Sequence, residues 1–338
     1  MRRWTALTLL PFSLICLQAQ AADGDATREA WRVDGDTAAL DAAGVGFPLQ
    51  MGALALVKSG EISSGGSGID NYAQFVSADG VIQATAYIYL PSHADTAIAA
   101  HMTDQAIHER FGAATRRTAF ASVAAGGHAQ AAIRSFYEHA ADGALVTGAA
   151  FIQAGRWMVK LRVTGPTERT RDVAAGLDAM LSSIRFAPQA RIAPAVASAM
   201  AACPAAAQAS ARIIDAEPAT EADDAPARTP MSRLCIRGSI ALADGKVQML
   251  QPVADPDMLF VPLDDAGRML TVEKRAGAAG YQLSMHEIGR TDAYNVYDRV
   301  PTAEQIAAIL DGSDVAGATP RASTAYRADG GRTITAAR

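Results

Sequence analysis

Between Val81 and Leu90 the chain alternates residue by residue. Ile82, Ala84, Ala86, Ile88 and Leu90 fall on one side of an extended strand, and Val81, Gln83, Thr85, Tyr87 and Tyr89 on the other. A period of two cannot sit on a helix, whose apolar positions recur every three or four residues. It requires a sheet with an aliphatic face to bury. The same pattern returns at Trp157, Val159, Leu161 and Val163, with Arg156, Met158, Lys160 and Arg162 opposite.

The residues around these strands set the order of elements. Ala53–Val57 is a short apolar run, followed by the Ser/Gly stretch 63–68. Asn71–Ser77 and Val81–Leu90 flank Ala78-Asp79-Gly80, a hairpin turn in which Gly80 takes positive φ without steric cost. Ser92 with Asp95 three residues on forms a capping box, and Ile98, Met102, Ala106, Ile107 and Phe111 give a helical stripe ended by Gly112. Strands are expected near 117–123, 129–138, 144–152 and 156–164, then a second helix over about 168–184 carrying Val173, Leu177, Met180, Leu181 and Ile184. The joining turns are short, so neighbouring strands should pair antiparallel.

The expected fold class is α+β: an antiparallel sheet with two covering helices over residues 46–187, followed by a smaller β-rich module over 231–311. In that module Leu234–Ile240, Leu259–Leu263, Met269–Lys274, Tyr281–Ile288 and Ala293–Tyr297 are strand candidates, and Thr302 with Gln305 caps a short helix. Residues 22–45 read as a loose N-terminal segment. Residues 188–230 read as an Ala/Pro-rich linker with a helical turn around 195–212, and 312–338 as a disordered tail.

The first residues bear on compartment. Arg2 and Arg3 precede a 14-residue, mostly apolar stretch from Trp4 to Leu17, and Ala19-Gln20-Ala21 supplies small residues for cleavage. A spanning helix needs about 20 residues, so a cleaved signal peptide over 1–21 is favoured over an anchor. Ile15 stands before Cys16 where a lipid-attachment motif requires a small residue. Removing 1–21 lowers the formal charge from −5 to −7. There is no block of lysine or arginine to track phosphates, so nucleic acid is not an expected partner, and no later segment predicts a membrane span. The expected location is the periplasm or the exterior.

Once Cys16 leaves, Cys203 and Cys235 remain. An even pair in an oxidising compartment reads most simply as one structural disulfide, worth roughly 3–4 kcal/mol by loop closure. A redox-active pair would favour adjacent C-x-x-C spacing.

Phe47-Pro48, the strand Ala84-Thr85-Ala86-Tyr87-Ile88-Tyr89 before a helix, and the Trp157–Val163 strand before a closing helix give the first domain a form that resembles the PsbP/Mog1-type family over roughly 45–190. The resemblance implies an antiparallel sheet flanked by helices and a role in binding partners or supporting assemblies. It implies no shared catalytic set and carries no site residue over.

Motifs for chemistry are missing from the sequence. Gly65-Gly66-Ser67-Gly68 does not have nucleophile-elbow spacing, and no lysine follows a glycine-rich loop as phosphate binding requires. His286-Glu287 opens like a zinc-protease motif, but Arg290 stands where the second histidine belongs. His101 and His108 share a helix face about 10 Å apart along the axis, too far to bind one metal, and read as an exposed polar face. No cofactor or metal is expected.

Two surfaces remain as candidates. Arg156, Lys160 and Arg162, joined by Arg134 on a neighbouring strand, form either an anion or acidic-partner surface or the solvated face of a half-exposed sheet. Tyr72, Tyr87 and Tyr89 line either a ligand groove or a cross-strand aromatic packing. The expected role is that of a periplasmic binding or assembly-support protein with an unknown protein or envelope partner, more in keeping with a non-enzyme. The alternative is a periplasmic hydrolase whose residues are scattered in sequence.

Overall fold

The computed structural model describes residues 30–63, 66–204, 209–218, 233–243 and 245–336. The proposed signal peptide and residues 205–208 and 219–230 of the linker lie outside the described residues. In chain order the first strands are β1 (Trp31–Asp34), β2 (Thr37–Leu40), β3 (Val45–Pro48), β4 (Gln50–Met51), β5 (Leu54–Glu61), β6 (Asp70–Ser77) and β7 (Gln83–Tyr89). Helix α1 (Thr96–Phe111) follows, then β8 (Arg116–Ala125), β9 (His128–Ala140), β10 (Leu145–Ala154), β11 (Trp157–Pro166), α2 (Thr170–Ser183) and β12 (Arg185–Phe186).

Two short strands, β13 (Ala201–Ala202) and β14 (Ile213–Ile214), lead into the second module. It comprises β15 (Leu234–Leu242), β16 (Gly245–Pro252), β17 (Leu259–Pro262), β18 (Met269–Lys274), β19 (Tyr281–Glu287) and β20 (Arg290–Tyr297). Helix α3 (Ala303–Leu310), β21 (Ala322–Tyr326) and β22 (Arg332–Ala336) complete the described chain.

These strands build three sheets among the described residues. One has four strands (β1-β2-β3-β12) and one has eight (β4-β5-β6-β7-β11-β10-β9-β8). The third runs β13-β15-β16-β17-β18-β19-β20-β21-β22, with β14 added on β20. Pairing is antiparallel throughout the eight-stranded sheet, as the short turns require.

The expectation of an α+β fold with two helices covering one sheet is overturned. Strand makes up 49% of the described residues and helix 14%, with three helices among them, so the described structure is predominantly β. The helices of the first module also do not share a face. Ile82, Ala84, Ala86 and Ile88 of the β7 region, with Val159, Leu161 and Val163 of β11, pack against Val173, Leu177, Met180 and Leu181 of α2. Gly165 allows that closeness: a Cβ there would lie 2.8 Å from a Val173 methyl. Helix α1 lies on the other face, where Ala100 meets Tyr89, Ile133, Phe151 and Met158.

Helix α1 is a filling between two modules because it is apolar on two sides. Ile98 and Met102 point away from the sheet and pack with Leu234, Leu250, Phe260 and Met269 of the second module. Its N-cap is Asp95, which accepts from the N–H groups of Ala97 (2.8 Å) and Ile98 (2.9 Å), while Ser92 is used elsewhere. The capping box of α3 forms as its sequence indicates, between Thr302 and Gln305.

Segments expected to be irregular are also built into sheets. Within 22–45 the chain forms β1, β2 and the start of β3, burying Trp31, Leu40 and Val45, and β12 adds to β3. The tail 312–338 contains β21 and β22, held by buried Ala322 and Tyr326. The turn around 195–212 is not helical among its described residues. Instead β13 runs parallel to β15, with Ala201 opposite Cys235.

Candidate functional site

The disulfide between Cys203 and Cys235 is present, with Cα atoms 5.0 Å apart. It fixes the end of the linker to β15, and the Cys203 N–H donates to the Ile236 carbonyl at 2.8 Å. Leu234, beside Cys235, is one of the residues that receive α1. The covalent link thus anchors the strand on which the first module rests.

Polar contacts join the modules alongside the apolar packing of α1. Backbone joins first: Pro91 bridges to Ile288, the Ser92 N–H donates to Glu287 O (3.0 Å), and the Gly289 N–H to Leu90 O (2.8 Å). Side chains follow. Ser92 Oγ lies 3.0 Å from His286 Nδ1, and Thr271 Oγ1 lies 3.0 Å from His286 Nε2. His93 sits edge-on to His286, ring centroids 5.3 Å apart.

This serine–histidine contact has the outline of a nucleophile and base. Its surroundings argue for a different use. His286 is 2% exposed, Ser92 is buried, and both ring nitrogens are met by hydroxyls. The adjoining cavity, bounded by Tyr89, His93, Met158 and Met269, measures about 20 Å³, room for a single water. The contact is a buried polar pin between modules, and it satisfies groups that would otherwise be costly to bury.

The basic stripe does not survive as one surface. Lys160 is 7% exposed, and its ammonium is bound to the carboxylate of Asp265 in the second module. Burial lowers the Lys160 pKa, and the adjacent Asp265 opposes that shift. Arg162 is half-buried, its guanidinium 5.5 Å from the Phe111 ring centroid; burial, then the neighbouring Arg110 charge, lowers its pKa. Arg134 belongs to the opposite face, because it pairs in register with Ala150, and it binds Asp178 of α2 at 2.8 Å. Arg156 lies at the β10–β11 turn, stacked 4.1 Å from the Tyr326 ring centroid.

The tyrosines separate as well. Tyr72 and Tyr87 are directly opposite across β6 and β7, both half-buried, with Lys58 over Tyr72 at 5.6 Å. Tyr89 is buried beneath α1, and burial raises its phenol pKa. His101, expected on an exposed face, turns into the seam and meets Gln248 Oε1 at 2.8 Å; burial lowers its pKa. Among the described residues no three His, Cys, Asp or Glu side chains gather in a metal-binding arrangement.

Open space occurs where the modules diverge. A groove of about 550 Å³ is floored by Met102, Gln105 and Glu109 of α1 and walled by Lys246 of the β15–β16 hairpin, Asp264, Arg268 and Asp311. Nothing in the sequence pairs these residues, since they come from four distant segments. A second groove, of about 350 Å³, lies where the β10–β11 and β21–β22 turns approach the start of the linker. Comparison of the chain with protein-family models, with curated proteins and with solved structures finds no match.

Proposed function

We propose that this is an exported binding or assembly-support protein whose two modules act as one body, with the groove between them as the contact site. The observation that carries the reading is the placement of that groove: about 550 Å³ of open space at a module junction, floored by Met102, Gln105 and Glu109 of the first module and walled by charged side chains of the second. Export is supported by the N-terminal pattern and by the Cys203–Cys235 disulfide, a bond suited to an oxidising compartment. The first sheet's resemblance to the PsbP/Mog1-type family points the same way, toward binding rather than turnover. The partner class is a protein or envelope component of opposite or mixed charge.

The test is site-specific photo-crosslinking in living cells. A photoreactive residue at Glu109, in the groove, should give a discrete adduct. The same residue at Arg32, an exposed position on β1, should not. Equal adducts from both positions, or none from Glu109, would remove the groove as the contact site.

The hydrolase alternative rests on one observation, the Ser92–His286 contact at 3.0 Å. A Ser92→Ala protein that keeps any hydrolytic activity found in the wild type would dispose of it.

A further inference from the structure

The second groove has the chemistry of an anion site, independent of the seam groove proposed above. Three arginines line it, Arg156, Arg191 and Arg327, and they come from three separate segments. A single carboxylate, Asp329, is among the lining residues, 3.4 Å from Arg327. The site therefore carries an excess of positive charge on a chain whose net charge is −5. Cations gathered against the sign of the whole molecule concentrate anions locally.

Backbone hydrogen bonds bring the segments that carry the arginines together. The Gly155 N–H donates to Arg191 O at 2.7 Å, the Ala193 N–H to Gln153 O at 3.0 Å, and Ala154 bridges to Ile192. These bonds clamp the linker start against the β10–β11 turn, so Arg191 stands beside Arg156. On the other side Arg156 stacks on Tyr326, the residue before Arg327. The Arg327–Gly330 turn closes with the Gly330 N–H donating to Arg327 O at 3.1 Å. Arg191 is exposed, and its side chain has no hydrogen-bond or ion-pair partner among the described residues. Its backbone is fixed, and its charge is left un-neutralised by any described residue.

The remaining lining selects among anions. Leu90, Trp157, Ala43, Ala190 and Ala328 give the groove an apolar wall. Guanidinium offers paired donors that match a carboxylate, and the apolar wall rewards a carbon body behind it. Bare inorganic phosphate would satisfy the donors and leave the wall unused.

We infer that the groove bounded by Arg156, Arg191 and Arg327 is a binding site for a small organic carboxylate.

Calorimetric titration of the full mature chain in low-salt buffer tests this, with benzoate and inorganic phosphate as probes. Trp157 fluorescence in a Trp31→Phe background gives a second readout. Benzoate should bind saturably at one site and more tightly than phosphate. Arg156→Gln/Arg191→Gln should weaken it by about ten-fold or more. Arg116→Gln/Arg171→Gln, which removes the same charge from exposed positions elsewhere, should leave it unchanged. Arg191→Glu changes one exposed side chain outside the core and should abolish binding with the fold intact by circular dichroism. No saturable benzoate binding, equal weakening in both double variants, or phosphate binding as tightly as benzoate would overturn the inference. Each result is independent of Glu109 crosslinking.

Discussion

The ammonium of Lys160 and the carboxylate of Asp265 meet across the two modules, 105 residues apart in sequence. Lys160 rises from the sheet face opposite α2, and Asp265 sits in the turn after β17, so the pair closes one end of the seam. Thr103 of α1 adds a hydroxyl 3.4 Å from the same carboxylate.

Removing one partner should cost more than removing both. Asp265→Asn leaves the Lys160 charge buried without its counter-ion and should destabilise the protein by about 3 kcal/mol, whereas Lys160→Met/Asp265→Leu should recover most of that. Urea midpoints of the three proteins decide it. A single variant no less stable than the double would mean that the pair does not hold the seam.

The disulfide should matter most to the second module. Cys203→Ser/Cys235→Ser frees the linker end from β15 and should lower stability by about 3–4 kcal/mol on loop-closure grounds. Thermal unfolding with and without reductant should show the same loss in the wild type and none in the variant. A reductant effect that persists in the variant would contradict this.

Gly165 is a packing residue. A methyl at this position meets a Val173 methyl at 2.8 Å and an Ile82 side-chain carbon at 3.2 Å. Valine is stiff at χ1, so Gly165→Ala should push α2 from the sheet and cost about 1–3 kcal/mol. Chemical denaturation reads this directly; an unchanged midpoint would show that α2 can shift freely.

His101 should make the seam sensitive to acid. Burial lowers its pKa in the folded chain, so on acidification the unfolded chain takes up this proton first. Its contribution is therefore complete above the unfolded value of about 6.5 and is lost as pH falls through the lower folded value. Urea midpoints between about pH 8 and about pH 5 should fall more steeply for the wild type than for His101→Gln. Parallel curves would assign the acid sensitivity to other groups.

Local chemistry was readable from the chain alone. Period two located β7 and β11 and identified the aliphatic face that α2 covers, because side chains of an extended strand must alternate whatever surrounds it. Thr302 and Gln305 marked the start of α3, since a cap depends on residues three apart. Cysteine pairing followed from there being two candidates once Cys16 is assigned to the expected signal peptide.

Tertiary structure decided what each face meets. Arg134 fell on the face opposite Lys160 because parity within a strand says nothing about register between strands, which the pairing of β9 with β10 sets. Helix α1 left the face it was expected to cover because its second apolar side, Ile98 and Met102, needed a partner that only the folded second module provides. Lys160 became buried for the same reason. Arg191 and Arg327 joined Arg156 only once three segments distant in sequence had closed around one groove. Alternation and capping act over a few bonds and are written in neighbouring residues; burial and convergence depend on which distant surfaces exclude water together, and no stretch of the chain contains that information by itself.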